Sequence, residues 1–134
     1  MAALTKDRMT ATREGTVISV PVKAATTIHG GSIVAKPASG RAAPATKAEN
    51  LKILGRSEER ADNSSGKDGD INVLVRRGVF RWANASGAGK IAATDIGADA
   101  YALDDQTVTK TAAGASKAGK ILGVDAEGVW VETR

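Results

Sequence analysis

The sequence predicts an all-β protein: a small β-sandwich or partly open barrel with long Gly/Ala-rich loops and an extended N-terminal arm. Two observations support this prediction. Short apolar clusters alternate with polar residues at a period of two, and turn-forming residues separate them at intervals of about 8 to 12 residues. In contrast, no window of about a dozen residues shows the 3.6-residue periodicity of an amphipathic helix. Many short strands with regular turns are typical of sandwiches and small barrels.

The composition predicts one domain with a thin core. The chain has 134 residues, which we divide into an arm over residues 1–14 and a single β-rich domain over residues 15–134. Ala contributes 25 of the hydrophobic residues, whereas Leu, Ile, Val and Phe together number 26. Each buried bulky side chain stabilises a fold by only about 1.5–3 kcal/mol. We therefore expect that association with a partner, or with copies of the same chain, adds to its stability.

The N-terminal half contains three predicted strand regions. In residues 16–22, Ile18, Val20 and Val22 share one face at period two. Pro21 lacks an amide hydrogen, so this strand is expected at a sheet edge or at a bend. The other two regions are residues 32–35, after a turn at Gly30 and Gly31, and residues 51–55, continuing into the charged residues 56–60.

Segments rich in Gly, Ala, Ser, Pro or Asp predict the loops. They are residues 36–49 (a loop or a weak hairpin around Gly40), residues 61–70 and residues 84–90. Gly78 is expected to form a bulge or kink between strands at 71–75 and 79–82. Thr94 is expected to cap one helical turn over residues 95–97.

Two hairpins are predicted in the C-terminal half. Residues 101–103 and 107–109 flank Asp104, Asp105 and Gln106, which favour a turn. Residues 120–124 and 129–132 flank a second turn at residues 125–128. Both hairpins contribute to the all-β prediction.

The residues that most catalytic and metal sites need are scarce. The chain has no Cys and a single histidine, His29. These counts exclude disulfides, Cys-type zinc sites, thiol catalysis and sites built from several histidines. His29 would act as a general base only with an orienting carboxylate and a nucleophile, and its place before Gly30 favours a turn. We predict no catalytic residue, no cofactor and no metal, and therefore no enzyme.

Three motifs that resemble chemical sites each lack a required feature. The run GAGK at residues 87–90 has no Ser or Thr after its lysine, which a phosphate-binding loop needs for magnesium. The run DGD at residues 68–70, with Asp62 upstream, lacks the ligand spacing and the bidentate Glu of a calcium loop. Asp104 and Asp105 would point to opposite faces of a strand, so we interpret them as turn residues.

The charge balance gives a weak indication of nucleic-acid binding. The 19 basic and 15 acidic residues are interspersed along the sequence, and the sequence pI is about 9.6. A nucleic-acid-binding domain usually concentrates its basic residues on one face with aromatic residues nearby. We expect no direct contact with nucleic acid, although a basic nucleic-acid-binding β-barrel stays open as an alternative. Neither a secretory h-region nor an apolar stretch of about 18 residues is present, so we expect no contact with a membrane.

The two tryptophans are expected to differ. Phe80 and Trp82 share a face, which we assign to the core. Trp130 shares its face with Glu132, opposite the neighbouring valines. If those valines are buried, Trp130 is at least partly exposed. Because tryptophan is enriched at interface anchors, Trp130 and Glu132 are candidate subunit-interface residues, and a lid over a small core is the alternative role of Trp130.

The order and spacing of motifs over nearly the whole chain resemble the capsid cement, or head decoration, proteins of tailed phages. The resembling segments are residues 4–8 (LTKDR), 13–15 (REG), 18–22 (ISVPV), 30–35 (GGSIVA), 75–80 (VRRGVF), 101–108 (YALDDQTV), 118–125 (AGKILGVD) and 128–131 (GVWV).

This resemblance implies a structural virion protein without catalytic residues. Such a protein is made in the host bacterial cytoplasm, binds the outer surface of the expanded phage head, and bridges subunits of the major capsid protein as a trimer or, less often, a dimer. The resemblance assigns capsid binding to the arm, with candidate contact residues Leu4, Thr5, Lys6, Asp7, Arg8, Met9 and Arg13. The alternatives are another small phage head or tail structural protein, or the basic β-barrel mentioned above.

Overall fold

The computed structural model describes residues 2–11, 13, 15–38 and 40–134, and it confirms the all-β prediction. The described residues form twelve strands and two short 3₁₀ turns, Gly87–Gly89 and Ala93–Asp95. The strands are β1 (Val17–Pro21), β2 (Thr26–Ile28), β3 (Ile33–Pro37), β4 (Ala43–Pro44), β5 (Leu51–Ser57), β6 (Ala61–Asn63), β7 (Asn72–Arg76), β8 (Gly78–Asn84), β9 (Asp99–Ala102), β10 (Thr107–Thr109), β11 (Ser116–Asp125) and β12 (Gly128–Thr133).

The strands form three sheets. A five-stranded sheet has the order β1-β7-β5-β3-β4, a closed barrel has the order β10-β8-β12-β11-β9, and β2 pairs with β6 in a two-stranded ribbon. The barrel closes because the short strand β10 pairs with β9 in the antiparallel sense and with β8 in the parallel sense. Within the described ranges, no helix has the length and the apolar content that a membrane span requires.

The five-stranded sheet contributes to two hydrophobic clusters. Ile33 and Ile53 pack with the apolar residues that fill the barrel, including the fully buried Ile121. Val34, next to Ile33 along β3, instead packs with the second cluster, to which the ribbon contributes Ile28. Because consecutive strand residues point to opposite faces, the apolar run predicted at residues 32–35 forms part of both clusters.

The core roles of the aromatic pair are confirmed. Trp82 is buried in the barrel, and its ring meets that of Phe80 edge-to-face with centroids 5.9 Å apart. The indole N–H of Trp82 donates a hydrogen bond to the Thr133 hydroxyl at 3.0 Å. The one polar atom of the tryptophan is therefore satisfied inside the barrel, as burial of an indole requires.

Several local predictions are confirmed. Strand β1 lies at the edge of its sheet, as Pro21 indicated. The hairpin around Gly40 exists as the antiparallel pair β3–β4. The hairpins β9–β10 and β11–β12 lie where turn residues predicted them, although β11 begins at Ser116, earlier than expected.

Two local predictions are wrong, and a third holds only in part. Residues 61–63 form β6 and not a loop, because they pair with β2 and the buried Asn63 donates side-chain hydrogen bonds to three backbone carbonyl oxygens of other segments. Thr94 does not cap a turn: the turn is Ala93–Asp95, and the Asp95 carboxylate accepts the Ala92 N–H at 2.8 Å. Of the two alternatives for Gly78, the bulge is wrong; the residue lies between the two strands as predicted and begins β8, where the chain passes from the five-stranded sheet to the barrel.

Candidate binding surfaces

The predicted arm is exposed along all of its described residues. Leu4 is 72% and Met9 is 99% exposed, and neither packs against the two hydrophobic clusters. Among residues 2–11 and 13, the only hydrogen bonds join Arg8 and Thr10. Met1, Thr12 and Glu14, which the prediction includes in the arm, lie outside the described residues. The predicted contact residues are all exposed: Leu4, Thr5, Lys6, Asp7, Arg8, Met9 and Arg13.

The arm leads into a strand with an open edge. The N–H of Val22 donates to Ile71 at 2.9 Å, which sets the alternation of hydrogen-bonded pairs between β1 and β7. By that alternation, the N–H and C=O groups of Val17 and Ser19 point away from β7. On that side, the segment that leads into β4 reaches only the C-terminal end of β1, where the Ala42 N–H donates to the last carbonyl of the strand at 2.8 Å. Two residues of β1 therefore present unpaired backbone donors and acceptors beside the arm.

Trp130 lies on the outer surface of the barrel. It is 39% exposed, while Val129 and Val131 are fully buried, which confirms the predicted orientation of this strand. The ring lies against Gly123, where an added Cβ would come within 3.5 Å of the Trp130 ring. The Arg81 guanidinium lies 5.4 Å from the ring centroid. The tryptophan is therefore held in one orientation although it faces outward.

The Asp125 carboxylate fixes the polar end of Trp130. It accepts the indole N–H at 3.1 Å and the Glu127 backbone N–H at 2.8 Å. These hydrogen bonds, the one from Glu127 foremost, hold the pKa of Asp125 below its usual value, and the nearby charge of Arg81 acts in the same direction. The charged form of Asp125 is thus the form that the fold stabilises.

Other exposed residues extend the surface around Trp130. Glu132 pairs with Arg134 at 3.2 Å and lies opposite Lys120 in β11 and Val79 in β8. Val79 is 44% exposed and Leu122 is 46% exposed. We name this surface the barrel face and define it by Val79, Arg81, Leu122, Trp130 and Glu132. The structure therefore places the two predicted interface residues on one exposed, partly apolar surface.

A groove of about 550 Å³ lies where residues of the five-stranded sheet meet Lys117 of β11 and Arg134. Four of its lining residues are aliphatic and buried or half-buried: Ile18, Leu51, Ile53 and Leu54. The other five are cations: Lys36, Lys52, Arg77, Lys117 and Arg134. None is acidic. We name this site the cationic groove.

Only part of the positive charge in the cationic groove is balanced. Lys117 pairs with Asp99 at 3.3 Å, and Arg134 pairs with Glu132. Lys36, Lys52 and Arg77 have no carboxylate within 4.0 Å in the part of the chain that the structure describes. Sequence reasoning missed this site because its cations are interspersed along the chain, and only the fold brings them together.

His29 lies beside a serine and an aspartate without forming a catalytic arrangement. A small open pocket of about 260 Å³ is lined by His29, Ser32 and Asp105, among others. The Ser32 hydroxyl donates to the backbone carbonyl of His29 at 2.7 Å, not to its imidazole. An activated nucleophile requires a hydrogen bond to the base itself. The arrangement is that of a turn, as the sequence indicated.

The acidic loop residues serve as backbone acceptors. Asp68 accepts the Ala24 N–H at 2.8 Å, and Asp70 accepts the Lys67 N–H at 2.9 Å. Within the described ranges, no three His, Asp or Glu side chains gather as metal ligands would. Asp104 likewise accepts two backbone N–H groups in its hairpin, which confirms it as a turn residue.

Comparison with known proteins adds no relative. No protein-family model matches the chain, and neither a curated protein nor a solved structure matches it. The interpretation of the arm, the barrel face and the cationic groove therefore depends on their residues and geometry.

Proposed function

We propose that this chain is a structural virion protein: a capsid cement protein that binds the outer surface of an expanded phage head and bridges major capsid subunits. The observation that carries this proposal is the exposed arm, which continues into the open edge of β1. The sequence resemblance to cement proteins points to the same segment. Neither argument requires a catalytic group.

The arm has the properties of a segment that becomes ordered on a partner. Leu4 and Met9 are apolar side chains that this chain alone leaves in water. The backbone groups of Val17 and Ser19 are free to pair with an added strand, which is the mode called β-augmentation. Ordering such a segment costs about 1–2 kcal/mol per residue. A surface that supplies many contacts at fixed spacing, such as an expanded lattice, offsets this cost better than an isolated subunit does.

The barrel face is the proposed contact between copies of the chain, as a trimer or a dimer on the shell. Trp130 is exposed, and Arg81, Asp125 and Gly123 already fix its position. A side chain that is ordered before binding loses little conformational entropy at an interface. Tryptophan and arginine are also the residues most often found as binding hot spots.

Shell binding tests the proposal. Purified protein is sedimented with immature and with expanded shells of the phage that encodes it. We expect saturable binding to expanded shells, weakened at least about tenfold by Leu4→Asp with Met9→Asp, because the two lost apolar contacts together contribute about 1.4 kcal/mol or more. The control variant, Leu4→Val with Met9→Leu, keeps the apolar character and should bind like the parent. Equal binding to both shell forms would contradict the proposal.

A nucleic-acid-binding β-barrel is the second candidate, and the cationic groove is the observation that favours it. Such a protein would bind DNA with an affinity that falls steeply with salt concentration, because phosphate contacts release counterions. Binding of single-stranded DNA by the protein, with no binding to shells, would favour this candidate over the cement proposal.

A further inference from the structure

We infer that the cationic groove is a docking site for an extended acidic peptide with aliphatic side chains, supplied by another protein. This inference does not depend on the capsid proposal, because it concerns a different surface and a different kind of contact. It follows from the composition of the groove, from one pair of facing lysines, and from the charge of the chain's own arm.

The lysine pair is the most informative feature of the groove. Lys36 in β3 and Lys52 in β5 are directly opposite each other in the antiparallel register. Like charges at directly opposed positions destabilise a strand pair. No described carboxylate pairs with either side chain. The fold therefore places two cations together and leaves them without an anion, which an acidic ligand would supply.

The aliphatic part of the groove distinguishes a peptide from nucleic acid. Proteins that bind single strands stack bases on aromatic side chains. The four aromatic residues of the chain are Phe80, Trp82, Tyr101 and Trp130, and none lines this groove. Leu51 and Leu54 instead offer an apolar contact between the cations. Alternating acidic and aliphatic side chains on an extended peptide match both features.

The chain's own arm is a poor occupant of the groove. Over residues 1–14 it carries three basic side chains, Lys6, Arg8 and Arg13, against the two acids Asp7 and Glu14. The arm therefore carries the same sign of charge as the groove and would be repelled from it. This charge argues against exchange of arms between copies at this site and favours an acidic segment of another protein.

Selection from a random peptide library tests the inference without a known partner. Displayed 12-residue peptides are selected on the wild-type protein and counter-selected on the variant Lys52→Glu with Arg77→Glu. Both replaced side chains are exposed, and circular dichroism melting verifies that the variant is folded. The matched control is Lys23→Glu with Lys110→Glu, which makes the same change of net charge at two exposed lysines outside the groove.

We expect enrichment of peptides that mix acidic and aliphatic residues. The affinity of a fluorescein-labelled selected peptide should fall at least about tenfold in the groove variant, since two charge-assisted contacts are lost. The affinity of the control variant should stay within about twofold of the wild-type value. Its charge changes act on the peptide only at long range, where salt screens them. Neutral Gln and Asn versions of the peptide should bind as weakly as the groove variant does.

Three outcomes would overturn the inference. One is that no peptide is enriched on the wild-type protein over the groove variant. Another is that a labelled 30-nucleotide thymidine strand binds the wild-type protein and the control variant but not the groove variant. That result would make the groove a nucleic-acid site. The third is self-association of the wild-type protein that the groove variant abolishes, which would make a second copy the occupant.

Discussion

Two pairs of like-charged residues face each other across strands of the five-stranded sheet, and their surroundings differ. Arg56 and Arg76 are opposed between β5 and β7, and Glu58 bridges them at 2.6 and 3.2 Å. Lys36 and Lys52 are opposed between β3 and β5 without such a bridge. One sheet thus contains a bridged pair of cations and an open pair.

The bridged pair is held in place by further contacts. The backbone N–H of Glu58 donates to Leu74 at 2.9 Å, so the position of the bridging residue is fixed. The hydrogen bond from Arg56, and then that from Arg76, hold the pKa of Glu58 below its usual value. Arg56 also lies over the Phe80 ring at 4.5 Å from its centroid. The difference indicates that facing cations can be stabilised within this fold, whereas Lys36 and Lys52 have no bridging carboxylate among the described residues.

Removing the bridge should have the largest effect on stability. Glu58→Gln leaves Arg56 and Arg76 facing each other without a carboxylate, so the melting temperature should fall. Glu59→Gln is the matched control, since it removes the same charge from an exposed neighbour with no ion pair among the described residues. Thermal unfolding followed by circular dichroism measures both variants. Equal melting temperatures for the two variants would show that the bridge is unimportant.

Replacing one lysine of the open pair by an acid should stabilise the fold, in contrast to Glu58→Gln. Lys52→Glu converts the facing lysines into a pair of opposite charges and should raise the free energy of unfolding by about 0.2–1 kcal/mol. Lys110→Glu makes the same charge change at an exposed position outside the sheet and serves as the control. Urea unfolding gives both values. Destabilisation by Lys52→Glu alone would indicate that the two lysines do not repel each other in the folded protein.

The contribution of Glu58 should depend on pH. Because its pKa is lower in the folded chain than the usual 4.5, its stabilising effect is fully present above pH 4.5 and is lost as the pH falls through the folded value. The difference in melting temperature between the wild-type protein and Glu58→Gln should therefore shrink below pH 4.5. A difference that stays constant down to strongly acidic pH would contradict this assignment.

Added salt should have the smallest effect on stability, and its effect should distinguish the open lysine pair from the bridged arginine pair. Added salt screens the repulsion between Lys36 and Lys52 and also weakens the attraction of Glu58 for its arginines. The variant Lys52→Gln lacks the repulsion, so it should lose more stability than the wild-type protein between low and high salt. Lys110→Gln is the control and should follow the wild-type protein. Melting temperatures at about 0.01 and 1 M salt, where the screening length falls from about 30 to about 3 Å, provide the test.

Features fixed by neighbouring residues could be predicted from the sequence. The alternation around Val20, the edge position of Pro21, and the turns at Asp104 and Asp125 all depend on local chemistry, and the structure confirms them. The exposure of Trp130 followed from the same alternation. Its role at a subunit interface stays a prediction, as does capsid binding by the arm.

Features that depend on distant contacts could not be predicted. The composition of residues 61–63 is typical of a loop, and the hydrogen bonds of Asn63 to other segments are not visible in the local sequence. Barrel closure depends on a parallel pair between β8 and β10, which no local pattern indicates. The cationic groove is the clearest case. Its cations are interspersed with acids along the sequence, and only the strand register brings them together at one site.

Hydrogen exchange on shell-bound protein tests the central claim most directly. In the free protein, the amides of Val17 and Ser19 and those of the described arm residues should exchange rapidly, because among these amides only that of Thr10 has a described acceptor, the exposed carbonyl of Arg8. On expanded shells, the account predicts strong protection of the arm and of these two amides. Protein that binds expanded shells with the arm and the β1 edge still exchanging rapidly would contradict it.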